Sequence, residues 1–196
     1  MAQATTVVTP ARFAQGLSFK DYLSQIKVNK DKFDEYYASA AVSRDEAASL
    51  KKMVALPGGA AKVLVLGEDW CPDVYRGLPI IAKIAEASGM ELRMFPRDAN
   101  LDIMNEFLNQ GQFQSIPTVV FYTKDVKYIT HWIERPAFAN DERATITAQV
   151  KKEMPSLNDQ DFRAEMRKRT TPRYPAWQQA TVKEVQQALA KALKVK

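Results

Sequence analysis

The stretch that most constrains the fold is Gly67-Glu68-Asp69-Trp70-Cys71-Pro72-Asp73-Val74. An apolar run, Val63-Leu64-Val65-Leu66, precedes it, and a helical pattern from Pro72 to Ser88 follows. The order is buried strand, tight turn, helix, with a thiol at the helix start. Unpaired backbone N–H groups at a helix N-terminus favour negative charge, so this placement stabilises the thiolate, the nucleophilic form of cysteine. Three residues beyond Cys71, where a dithiol motif needs its second cysteine, stands Val74. Cys71 is the only cysteine in the chain.

A single cysteine excludes any disulfide within the chain, and the natural reading is a reducing compartment, by default the cytoplasm. The expectation is reinforced by two absences from the sequence: no apolar run of about 18 residues that would span a membrane, and no basic-then-apolar leader at Met1 to Pro10. A formal charge of +5 is mildly basic. It permits an acidic partner without arguing for nucleic acid, since no recognised binding module accompanies it.

Residues 1–17 lack periodicity and are expected to be flexible. Residues 18–59 read as a helical extension. Ser18 caps a first helix, Phe33, Tyr36 and Tyr37 recur at helical spacing, and Ser43 with Glu46 forms a capping box before a third helix. Residues 60–154 alternate: strands at Lys62–Leu66 and Glu91–Phe95, a short helix at Leu101–Asn109, a hairpin from Thr118–Tyr122 into Val126–Ile133, and a helix from Ala137 to Met154. This predicts an α/β fold, a small mixed four-stranded sheet covered by helices, with helical extensions at both ends forming one domain overall. Residues 155–196 read as a C-terminal extension of two helices packed on the core, joined by an irregular link, Thr170 to Pro175, because proline removes N–H donors.

These residues resemble the thioredoxin-like superfamily. Trp70-Cys71-Pro72 follows a buried strand, Pro79 lies eight residues beyond the cysteine, Ser115-Ile116-Pro117-Thr118 precedes a strand, and a hairpin and helix close the unit. The resemblance covers roughly residues 60–150. The helical extension with Glu68-Asp69-Trp70-Cys71 in place of the dithiol motif is similar to a bacterial subgroup of that superfamily. The resemblance implies that Ile116-Pro117 is the cis-proline element beside the thiol. Ile116 then offers its backbone to an extended peptide, Pro117 and Pro72 shape the groove, and Trp70 supplies a flat apolar wall. It implies no cofactor.

Two departures go together. Val74 replaces the resolving cysteine. Val65 stands six residues before Cys71, where thioredoxins keep a buried aspartate for the second thiol's proton. Dithiol reduction within one chain is thereby ruled out on stoichiometry. Two functions from different classes remain. In one, Cys71 is a monothiol that exchanges with a protein or low-molecular-weight thiol or disulfide, the mixed disulfide being resolved by an external thiol. In the other, the fold is a redox-silent module that binds a protein or peptide. Glu68, Asp69 and Asp73 oppose the thiolate and weigh against the first.

Other candidates carry bland readings. His131, the only histidine, falls at a strand end, and one cysteine with one histidine makes no ordinary zinc site. Asp98 is expected to cap the next helix. Phe33, Tyr36 and Tyr37 are expected as core. The basic run Arg163, Arg167, Lys168, Arg169 and Arg173 reads as a solvated face. The chain lacks the residues that mark peroxiredoxins and monothiol glutaredoxins, although Arg135 is a candidate partner for a thiol's carboxylate. The oligomeric state is not legible from the sequence.

Overall fold

A computed structural model describes residues 6–195. Its elements, in chain order, are α1 (Pro10–Ala14), α2 (Phe19–Gln25), α3 (Lys30–Ser39), α4 (Arg44–Ala55), β1 (Lys62–Gly67), α5 (Pro72–Ser88), β2 (Glu91–Pro96), α6 (Leu101–Met104), β3 (Thr118–Tyr122), β4 (Tyr128–Ile133), α7 (Ala137–Glu153), α8 (Asp159–Thr170) and α9 (Tyr174–Leu193). The sheet order is β2-β1-β3-β4. β1 runs parallel to β2, with Val65 opposite Met94, and antiparallel to β3, with Val65 opposite Val119. β3 and β4 form an antiparallel hairpin.

The apolar run in β1 explains its central place. Val63 to Leu66 are fully buried, as are all five residues of β3, which a strand covered on both faces requires. α5 brings Leu78, Ile80, Ile81 and Ile84 into the same core, and Gly89 ends it in the left-handed conformation. α3, α4 and α9 pack against α5, and α9 also packs on β4. The capping box of α4 is formed in both halves, Ser43 with the Glu46 N–H and Glu46 with the Ser43 N–H.

Three local expectations are corrected. Residues 6–17 are not a flexible tail. Thr9 caps α1 by accepting from the Arg12 N–H, Val8 and Phe13 are buried, and Leu17 exchanges two backbone hydrogen bonds with Met94, at 2.9 and 2.7 Å. That pairing covers the open edge of β2. Gly16 permits it, because a Cβ there would stand 2.4 Å from the Phe95 ring. Met1 to Thr5, the rest of that expectation, lie outside the described residues. The second correction concerns residues 101–109, where α6 stops at Met104 and turns carry the chain on. The third is the Thr170–Pro175 link, which is helical. A 3-10 turn over Thr171–Arg173 joins α8 to α9, and Pro172 and Pro175 occupy first-turn positions where no N–H is needed.

Candidate functional site

β1 ends at Gly67, and the chain turns through Glu68-Asp69-Trp70 before α5 begins. Gly67 is required by crowding, since a Cβ there would lie 2.8 Å from Val74. The turn is tied from several sides. Asp69 Oδ2 accepts the backbone N–H groups of Lys27 at 2.7 Å and Val28 at 3.3 Å, and Asn29 Nδ2 donates to the Asp69 carbonyl at 2.9 Å. Glu68 Oε1 accepts the Asp98 N–H at 2.8 Å. The helical extension before β1 therefore holds the loop that carries Trp70.

Cys71 is the N-cap of α5, and its carbonyl accepts from Val74 and Tyr75. The residue is 9% exposed, and Sγ lies 3.8 Å from the Ile116 carbonyl oxygen, to which the thiol donates. Burial pushes the Cys71 pKa up, and the negative charge of Asp73 adds to this. The backbone N–H groups of Val74 and Asp73 and the charge of Arg76 oppose it without reversing the direction. The field of the helix start is real but loses to desolvation and a carboxylate. Burial likewise raises the Glu68 pKa.

The five residues singled out in sequence are close neighbours. Trp70 is 51% exposed, with the Arg97 guanidinium 5.3 Å from its ring centre. Pro72 is exposed at the first position of α5. Ile116 and Pro117 are buried, and the peptide bond between them is cis. Among the described residues the Ile116 N–H has no hydrogen-bond acceptor, and its carbonyl accepts only the Cys71 thiol.

Sequence spacing could not reveal the ionic lattice beside this group. Asp73 accepts from Arg135, 62 residues away, and from Arg76 Nη1 at 3.4 Å. Arg135 also pairs with Glu134 at 2.9 Å, so it is already engaged by protein carboxylates. Asp98 does not cap α6, whose cap position is Asn100; its carboxylate pairs with Arg97 at 2.6 Å. His131 is exposed on β4, with Nδ1 2.7 Å from the Tyr128 hydroxyl, and burial lowers its pKa. Phe33 and Tyr36 are buried, whereas Tyr37 donates to Glu86. In the basic run, Arg169 pairs with Glu153 and Glu165, and Arg173 with Glu142. Among the described residues no group of three His, Cys, Asp or Glu side chains is placed to hold a metal ion, and no helix is long and apolar enough to cross a membrane.

A parallel β1–β2 pair, an antiparallel hairpin and a cysteine at the start of α5 facing Ile116-Pro117 define a thioredoxin-like α/β protein. The chain belongs to the thioredoxin family, whose profile, described as Thioredoxin, matches residues 16–150. Two solved structures share the fold. A protein of unknown function from Pseudomonas aeruginosa, PA1234, is 15% identical with a TM-score of 0.60, the match covering 96% of each chain. An HIV epitope-scaffold is also 15% identical, with a TM-score of 0.64, over 94% of this chain and 99% of that one. No curated protein matches the sequence.

Proposed function

We propose that the protein is a thioredoxin-fold module that binds an extended peptide segment of a partner protein along Ile116, with Cys71 a protonated thiol in the floor of the groove. The observation that carries this reading is the Ile116 N–H, which has no acceptor among the described residues, one contact away from a half-exposed Trp70. A free backbone donor with its carbonyl beside it is what an added strand pairs with, and a flat aromatic wall supplies area at low entropic cost. Trp70, Pro72 and Pro117 are the walls, and Ile116 provides the backbone pairing. The buried thiol, held to the Ile116 carbonyl, supports binding over turnover.

The second reading, single-thiol exchange, is favoured by the place of Cys71 at the start of α5, where the backbone N–H groups of Val74 and Asp73 oppose the rise in its pKa. In it the Cys71 thiolate attacks a disulfide, one new S–S bond forms as the old one breaks, the leaving sulfur departs as thiolate, and an external thiol resolves the mixed disulfide.

One experiment separates the two. The full chain is screened against a library of extended peptides, and the best binder is titrated into wild type, Trp70→Ala and Cys71→Ser. The binding reading expects Trp70→Ala to weaken affinity at least about tenfold, since it removes an exposed aromatic anchor that the bound peptide would cover, and Cys71→Ser to stay within about threefold. Capture that requires Cys71 and an oxidised partner, with no Trp70-dependent binding under reducing conditions, would overturn it in favour of exchange.

A further inference from the structure

Arg76, on the second turn of α5, is 8% exposed, yet its Nε–H has no acceptor among the described residues. Nη1 reaches Asp73 Oδ1 only at 3.4 Å, and Nη2 makes no hydrogen bond to any described residue. The face of the guanidinium is taken by the Tyr174 ring, 4.0 Å away. What remains open is the Nε–Nη2 edge, the two-donor fork whose geometry matches a carboxylate. Arg76 lines a cavity of about 20 Å³, together with Gly77, Trp132, Trp177 and the mutually paired Asp73, Glu134 and Arg135. That is space for one small polar head rather than a side chain.

Arg76 and Arg135 both pair with Asp73, Arg135 also pairs with Glu134, and Arg143 adds a further positive charge to this group. Arg135 is engaged by both carboxylates, while Arg143 has no ion pair or hydrogen bond among the described residues. Burial and then the charge of Arg135 push the Arg143 pKa down, with Arg76 adding to this and Asp73 and Tyr174 opposing it. The next carboxylate, Glu142, is taken by Arg173 and by the Trp177 indole. Arg76 and Arg135 thus share Asp73 and Glu134, and the buried Arg76 is left with an edge that no anion meets, which is costly for a cation out of water.

We propose that this cavity binds a carboxylate group, taken side-on by Arg76 Nε and Nη2, with Arg143 outside the lining adding positive charge at longer range. The cavity adjoins the peptide groove, because Gly77 forms a shared wall: a Cβ on Gly77 would stand 3.2 Å from Pro117 Cγ. The proposal therefore deepens the binding reading and rests on it for one of two sources, the carboxylate of a peptide seated in the groove. The other source is a free small carboxylate.

The probe is acetate, titrated into the full chain at constant ionic strength with chloride as balance, and followed through the indole N–H signals. The expected result is saturable movement of the Trp132 and Trp177 signals, which line the cavity, without movement of Trp70. Arg76→Lys keeps the charge but loses the fork and should weaken the half-saturation at least about tenfold. Arg143→Gln, at a partly exposed and unpaired side chain, should weaken it about threefold and serves if Arg76→Lys does not fold. A response that is linear in acetate, or half-saturation unchanged in both variants, overturns the proposal and leaves the Arg76 edge to water. Tighter binding of a groove peptide with a free C-terminal carboxylate than of its amidated form assigns the peptide source; equal binding, with acetate still saturating, assigns the free one. Peptide binding without acetate saturation sinks the cavity alone, and acetate saturation without peptide binding sinks the groove alone.

Discussion

Cys71 Sγ lies 3.8 Å from the carbonyl oxygen of Ile116, and that contact holds the thiol as a donor, in its protonated form. Asp73, two residues on, adds a negative charge that disfavours thiolate. Asp73→Asn removes that charge and releases Arg76 and Arg135 from it, and both changes favour the anion. Alkylation of Cys71 by iodoacetamide at neutral pH is expected to be slow in wild type and roughly threefold to tenfold faster in Asp73→Asn. An unchanged or slower rate in the variant would show that Asp73 does not govern the thiol.

The raised Cys71 pKa also carries a stability consequence with a definite sign. The folded chain holds the thiol proton more tightly than the unfolded chain does. The associated stability is fully present below the free-thiol pKa of about 8.5 and is lost as pH rises from there through the folded value. Cys71→Ser has no such proton to lose. Denaturant midpoints measured from pH 7 to pH 10 should therefore fall more steeply for wild type than for Cys71→Ser. Tyr22 and Tyr122, whose pKa values burial also raises, add to the decline of both proteins only toward the top of that range.

Glu184, on α9, fastens the C-terminal helix to the sheet and to α7. Its Oε2 accepts the Trp132 indole N–H at 3.0 Å, and its Oε1 accepts the Ala137 N–H at 2.6 Å, at the first residue of a helix whose cap position, Pro136, supplies no side-chain acceptor. Glu184→Ala leaves both donors without that partner and is expected to cost about 1–3 kcal/mol in urea unfolding, with an unchanged m-value. Glu184→Gln keeps an acceptor and should cost less. Equal stability of all three proteins would remove Glu184 from the account of how α9 is held.

What was readable in the residues and what was not divides by distance along the chain. The Val63–Leu66 run, the Ser43 and Glu46 capping box, Gly89 and the Thr118–Ile133 hairpin all rest on neighbours within a few positions, and periodicity or turn chemistry reveals them. α1 has only five residues, too few for a period, although Thr9-Pro10 is a local start signal. The pairing of Leu17 with Met94 and that of Asp73 with Arg135 join segments far apart in sequence and leave no local pattern. The site divides in the same way. Trp70, Cys71, Ile116 and Pro117 come from two short motifs, whereas Arg76 reads as an ordinary helix residue until packing buries it with its Nε–H unpaired.

The position of Trp70 depends on Asp69, and that dependence is testable without any ligand. Asp69 Oδ2 draws together the N–H groups of Lys27 and Val28 just before α3, and Asn29 Nδ2 returns a hydrogen bond to the Asp69 carbonyl. Asn29 itself sits in the left-handed conformation, so the turn between α2 and α3 is held in a shape with little intrinsic preference. Asp69→Ala deletes two charge-assisted hydrogen bonds at an exposed site, and solvent screening keeps the global cost to about 1 kcal/mol. The local effect should be larger than the global one. Amide exchange at Lys27 and Val28 should accelerate at least about tenfold while the core strand Val63–Leu66 keeps its protection, and Trp70 fluorescence should change as the loop loosens. If the peptide groove is built as proposed, peptide affinity falls in parallel, because the wall formed by Trp70 is no longer preorganised. Protection lost uniformly across the protein would instead show that Asp69 supports the fold as a whole and not the loop.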